Sequence, residues 1–181
     1  NQADLTSDDM YYTKAEMKSM IQNYRKLGLD IIPEFDTPAH SLSFTKVRPD
    51  LRFGTTGRQN DHFNLNTKYD ESLAFVESIW DEYIKGDDPV FDQDTIVNIG
   101  TDEYDGQYTE QFRKFTDDLL AYIQDNGNTV RLWGSLTARS GSTSVRSEGV
   151  QMNIWNDGWA NPKAMYQQGY DLIDMNDGSV Y

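Results

Sequence analysis

The chain has no cysteine among its 181 residues. That excludes disulfides, zinc–thiolate sites, iron–sulfur clusters and thiol catalysis. Histidine is nearly missing as well: His40 and His62 are the two copies, and no His-x-His pair occurs. A histidine-based metal hydrolase therefore has little to be built from. Cations are scarce, with 16 Lys+Arg against 30 Asp+Glu and a formal net charge of −14. Such a surface repels nucleic acid and anionic membranes, so neither is expected as a partner. No apolar run approaches the roughly 18 residues that a membrane span requires. The first residue is Asn1, with neither Met nor a basic, apolar leader, so the chain reads as an excised piece or a processed product.

What is present suits a packed domain. Apolar residues make up 37% and aromatics 13%, the latter too many for a disordered chain despite a mean hydropathy of −0.74. The length fits one domain with a real core. Helix-period and strand-like segments alternate. Thr13-Lys14-Ala15-Glu16 forms a capping box ahead of Met17, Met20, Ile21, Tyr24 and Leu27, and Gly28 is the stop. A strand follows over residues 30–35. A second helix is expected from about Lys68 to Lys85 and a third from about Thr109 to Asp125. Strands are expected over residues 95–100, 129–133 and 150–155, with a last one starting near Asp171. Between the last two, Asn161 and Pro162 open a short helix as N-cap and first residue. Residues 137–149, rich in Ser, Thr, Gly and Arg, read as a mobile connection.

Strands alternating with helices at this spacing imply a parallel sheet, either doubly wound or closed as a (β/α)8 barrel. Five strand candidates fall short of eight, and a whole barrel needs roughly 250 residues. A barrel reading makes this chain a middle slice, with two open sheet edges.

In either fold, chemistry gathers just past the strand C-termini. Those positions hold Glu34 to His40, Thr101-Asp102-Glu103-Tyr104, Trp133-Gly134, Trp155-Asn156-Asp157-Gly158-Trp159 and, last, Asn176-Asp177-Gly178 with Tyr181. Carboxylates, one imidazole and aromatic rings on one rim suit a sugar, which needs C–H faces stacked and hydroxyls bonded. Asp102-Glu103 is the sharpest feature. Adjacent side chains at a strand end alternate in direction, so the two can address different atoms of one substrate. Differing environments would keep one ionised and the other protonated. A solvated acidic loop or a helix-start pair is the competing reading. His40 is equally readable as a loop histidine bonded to backbone, His62 receives no role, and Trp133, Trp155 and Trp159 could be packing. The acidic run Asp87 to Asp94 lacks EF-hand spacing and reads as a solvated turn.

Taken together and in order, these motifs resemble a known family. Tyr12-Thr13-Lys14-Ala15-Glu16, then Ile31-Ile32-Pro33-Glu34-Phe35-Asp36-Thr37-Pro38-Ala39-His40, resembles the YT…E…IPE-x-D-x-P-x-H signature of glycoside hydrolase family 20. Asn98-Ile99-Gly100-Thr101-Asp102-Glu103 resembles its H-x-G-x-D-E motif, and Trp133, Trp155 and Tyr181 follow in the family's order. The resemblance spans about residues 11–181. It implies a (β/α)8 TIM barrel, of which residues 1–181 would be a partial catalytic domain covering roughly strands three to seven. It also implies a retaining β-N-acetylhexosaminidase, in which the substrate's own 2-acetamido group replaces a protein nucleophile. Glu103 would be the general acid/base. Asp102 would orient the acetamide and steady its developing positive charge. Tyr181 would bond the acetamide carbonyl, Trp133 and Trp155 would wall the pocket, and Asp36 and His40 match the loop supporting the acid. The substrate would be a glycan or oligosaccharide ending in N-acetylhexosamine, met outside the cell or at its surface, with no cofactor and no metal. A sub-variant releases a disaccharide such as lacto-N-biose, and a non-catalytic carbohydrate-binding barrel is the alternative. Asn98 stands where many members have His, and Ala39 where many have Gly. The family's sugar-gripping Arg, its earlier-strand Asp and a late pocket Trp do not occur in this chain, so these residues alone are expected to be inactive.

Overall fold

The computed structural model describes residues 7–176 and 178. Parallel strands β1 (Glu34–Thr37), β2 (Val97–Gly100), β3 (Val130–Trp133), β4 (Val150–Ile154) and β5 (Asp171–Asp174) lie side by side in that order. Helices α1 (Lys14–Arg25), α2 (Leu42–Val47), α3 (Tyr69–Ile84), α4 (Thr109–Asp125) and α5 (Pro162–Gln167) accompany them. This order decides between the two closures. A doubly wound sheet reverses its strand order at a switch point. Here each described strand adds beside its predecessor in one direction, as in the wall of a (β/α)8 barrel. The chain folds as part of a (β/α)8 barrel, the fold class that the sequence implied.

Period-two alternation sorts the strand residues between two faces. Phe35, Val97, Ile99, Val130, Leu132, Val150, Met152 and Ile154 turn toward the helices, and all but the half-buried Phe35 are buried. Phe112, Phe115, Leu119, Leu120 and Ile123 of α4 are fully covered. Trp80 of α3 is also fully buried, with its ring 4.6 Å from that of Phe35. The intervening residues form the inner face of the arc, and most of them are polar. Glu34, Asn98, Arg131, Gln151 and Asp171 lie in register across it, with Trp133 beside Asn153 one step further along. A barrel interior is ordinarily filled by branched apolar chains. The polar lumen thus leads directly to the site.

Local signals set most boundaries. The Thr13–Glu16 capping box is made in both directions, at 3.2 Å and 2.8 Å. Asn161 Oδ1 accepts from the Ala164 N–H at 3.0 Å, as an N-cap should. Three expectations need correction. The first strand begins at Glu34 instead of residue 30. Pro33 has no N–H to give, and the ladder opens at its carbonyl, which accepts from Asn98 at 2.9 Å. Helix α1 ends two residues before Leu27, and both Tyr24 and Leu27 of its expected apolar stripe are exposed, with Ile21 the buried residue. Residues 137–149 are pinned to α4 where a mobile connection was expected. Glu110 accepts the Ser142 and Thr143 N–H groups, Arg113 donates to the Thr143 and Arg139 carbonyls, and Arg146 grips Asp117. Those anchors lie 25 to 35 residues away, beyond any local pattern. No helix among the described residues is long and apolar enough to cross a membrane.

Candidate active site

The site is built at the ends of β1 and β2. Glu34 and Asp36, two apart, share the inner face of β1. Beyond Asp36 the chain turns through a cis Thr37–Pro38 bond to His40, whose φ is 52°. Strand β2 ends in a run of left-handed residues, Gly100 (φ 75°), Thr101 (φ 69°) and Glu103 (φ 47°). Non-glycine residues rarely adopt this region, and such strain gathers at functional turns. Gly100 is obligatory for a second reason. A Cβ there would lie 2.0 Å from Asp36 Oδ1 and 2.6 Å from Asp36 Cα.

This turn overturns the expectation that Asp102 and Glu103 face different ways. Both reach one imidazole nitrogen: His40 Nε2 lies 3.6 Å from Asp102 Oδ1 and 3.4 Å from Glu103 Oε2. The strand has already ended at Gly100, so strand alternation no longer applies. Tyr104, the next residue, anchors the turn. It is fully buried, its hydroxyl donates to the Phe63 carbonyl at 2.8 Å, and Arg139 Nε donates to its carbonyl at 2.6 Å.

Burial governs the charges. It raises the pKa of Asp36 most, with the Asp102 and Glu34 carboxylates adding to the effect. Burial raises Asp102 as well, opposed by His40. The two carboxyls offer oxygens within 4.8 Å of each other, and like charges so close oppose each other's ionisation. The larger push falls on Asp36, which favours the proton there and the charge on Asp102. Asp36, His40 and Asp102 also offer ligand-type atoms within 4.8 Å of one another. A cation at that spot would have to displace that proton.

Sequence reasoning missed four members of this constellation. His62, given no role, is 3% exposed, stacks on Tyr104 and lies 2.6 Å from Asp61 Oδ1 through Nδ1. Asp61 Oδ2 is 3.8 Å from His40 Nδ1. His40, Asp61, His62 and Glu103 line a small cavity of about 110 Å³. Burial lowers the pKa of His62, against the opposing pull of Asp61. The loop carrying Asp61 gives no periodic signal, and its docking rests on a Ser41 N–H to Asp61 carbonyl bond of 2.7 Å. Glu34 and Asn98 were quoted as motif letters without a task. Glu34 Oε2 accepts from Asn98 Nδ2 at 2.6 Å and from Trp133 Nε1 at 3.0 Å. The alternation of Glu34 with Asp36 was the available signal.

The structure therefore gathers Asp36, His40, Asp102 and Glu103, and it links Trp133 to them through Glu34. Trp155 stands further along the rim. It donates from Nε1 to the Gly134 carbonyl at 2.9 Å and stacks on Trp159 at 5.6 Å. Tyr181 lies outside the described residues.

Comparison with known proteins identifies the family. The whole chain, residues 1–181, matches the model of glycosyl hydrolase family 20, catalytic domain. Lacto-N-biosidase of Bifidobacterium bifidum is 23% identical over 91% of this chain and 16% of that protein. The human beta-hexosaminidase subunit beta is 31% identical over 59% of this chain and 19% of its own length. Among solved structures, a catalytic module of the pneumococcal exo-beta-D-N-acetylglucosaminidase superposes with a TM-score of 0.79 at 18% identity, over 93% of this chain and 45% of that one. The chain thus spans less than half the length of these relatives. With the whole of this chain matched to the family's catalytic-domain model, on a barrel arc whose acidic turn sits at the strand C-termini, the chain belongs to glycosyl hydrolase family 20.

Proposed function

We propose that the protein carrying this chain is a retaining exo-glycosidase that removes terminal β-linked N-acetylhexosamine from glycans. The observation that supports this best is the convergence of Asp102 and Glu103 on His40 Nε2, with Asp36 behind Asp102. Glu103 is the more accessible of the pair, its side chain 36% exposed against 16% for Asp102. In this reading Glu103 hands its proton to the glycosidic oxygen and later takes one from water. Asp102, kept anionic because Asp36 holds the proton, orients the substrate acetamide. The acetamide oxygen attacks the anomeric carbon as the leaving group departs, forming an oxazolinium ion, and the Asp102 charge steadies its cation. Water then opens the ring with retention. Trp133 and Trp155 supply apolar walls, Tyr181 bonds the acetamide carbonyl, and His40 positions the acid. An extracellular or cell-surface location fits such a substrate.

Glu103→Gln in the full-length protein tests the assignment. Turnover of an aryl β-N-acetylglucosaminide should fall roughly 10²–10⁴-fold with substrate binding retained. Near-normal turnover would remove Glu103 from the role, and a wild-type protein that binds the sugar without turning it over would leave a carbohydrate-binding barrel. A second reading, release of a disaccharide, is prompted by the match to lacto-N-biosidase over 91% of this chain, with beta-hexosaminidases matching over 94%. Faster turnover of an aryl lacto-N-bioside than of the aryl monosaccharide would decide for it.

A further inference from the structure

Glu34 stands on the inner face of β1 opposite Asn98, and the mechanism above leaves it unused. One of its oxygens accepts two hydrogen bonds, from the Trp133 indole N–H at 3.0 Å and from the Asn98 amide at 2.6 Å. Asn98 continues the chain of contacts, because its Oδ1 accepts the Gly100 N–H at 3.0 Å. Gly100 is the first residue of the left-handed turn that carries Asp102 and Glu103. An unbroken line of hydrogen bonds thus runs from the indole on β3, across β1 and β2, into the start of the acidic turn. We infer that Glu34 is a positioning residue that fixes the Trp133 ring relative to that turn and so sets the fit of the pocket wall to the sugar.

Three physical points support the assignment. A tryptophan indole has one polar atom, so one fixed acceptor suffices to orient it. A carboxylate accepting from neutral donors makes stronger bonds than a neutral acceptor, and it is the group best able to take both at one oxygen. Glu34 also stands on the inner face with Asp36, and its charge acts on Asp36 and Asp102, so it bears on both the wall and the acidic pair.

The inference rests on the preceding reading of Trp133 as a pocket wall. Its test therefore has one arm that needs no turnover. The full-length protein is labelled with 5-fluorotryptophan, and the Trp133 resonance is assigned as the one lost in Trp133→Phe. In ligand-free protein, Glu34→Leu should shift that resonance, whereas Glu34→Gln, whose amide oxygen still accepts, should leave it near the wild-type position. In the activity arm, Glu34→Leu should raise KM for the aryl β-N-acetylglucosaminide about 10-fold, the worth of one bond to a charged group, with kcat changed less. Combined with Trp133→Phe, the same change should add no further rise, because both remove one interaction. Should Glu34→Leu fail to fold, Glu34→Asp, which keeps the charge and shortens the arm, is expected to move the resonance and KM in the same direction. A Trp133 resonance unmoved by these variants, or KM effects that add fully in the double variant, would overturn the inference. A wild-type protein without turnover would instead defeat the glycosidase reading, with the fluorine arm still reporting on the clamp.

Discussion

Asp36→Asn tests where the proton of the Asp36 and Asp102 pair resides. Burial first, then Asp102 and Glu34, push the pKa of Asp36 up to about 9 from an ordinary 3.8. The folded protein therefore holds a proton that the unfolded chain releases. Because the folded value is the higher one, the stability contributed by Asp36 is fully present below pH 3.8 and is lost as the pH rises through about 9. At pH 7 the unfolded chain has gained about three pH units of ionisation free energy, about 4 kcal/mol at ~1.4 kcal/mol per unit. The proton belongs to the pair with Asp102, so part of that sum falls to the partner. Asparagine cannot ionise, yet its amide is a donor that the Asp102 carboxylate can accept. The variant should therefore be more stable than wild type at pH 7 by about 2–4 kcal/mol, with the gap closing toward pH 4. Urea denaturation of the full-length protein at pH 4, 5.5 and 7 measures both quantities. A variant less stable than wild type at pH 7, or a gap that does not change with pH, would refute the placement of the proton on Asp36.

Two further changes probe how the site is held. Gly100→Ala meets Asp36 Oδ1 at 2.0 Å while occupying a left-handed φ of 75°. Backbone strain and overpacking together should cost more than about 3 kcal/mol, read as a lower denaturant midpoint or loss of soluble protein, and a near-neutral result would contradict the close β1–β2 approach. Glu110→Ala removes the acceptor for the Ser142 and Thr143 N–H groups, so limited proteolysis should cut first within residues 137–149. A cleavage pattern matching wild type would show that Arg113 and Arg146 suffice to hold that segment.

The legible and illegible parts of this molecule divide by the range of the interactions involved. The Thr13–Glu16 capping box, the Asn161–Pro162 helix start and the α4 stripe from Phe112 to Ile123 are readable because their partners lie within a few residues. The acidic couple and the polar–apolar alternation of β1 are readable for the same reason, as residue types at fixed spacing. Sequence alone thus determined the alternating strand–helix order, the parallel sheet and the rim residues on which function would be sought. Tertiary structure alone decided the rest. The strand order that selects the barrel depends on pairing between segments 20 to 64 residues apart. The direction of Asp102 and Glu103 depends on a left-handed turn that only the tight approach of Gly100 to Asp36 explains. The partners of His40 and Trp133 come from Asp61 and Glu34, 21 and 99 residues away. Local propensity records what a segment prefers to be, whereas charge, proton placement and side-chain aim are set by neighbours that only folding brings near.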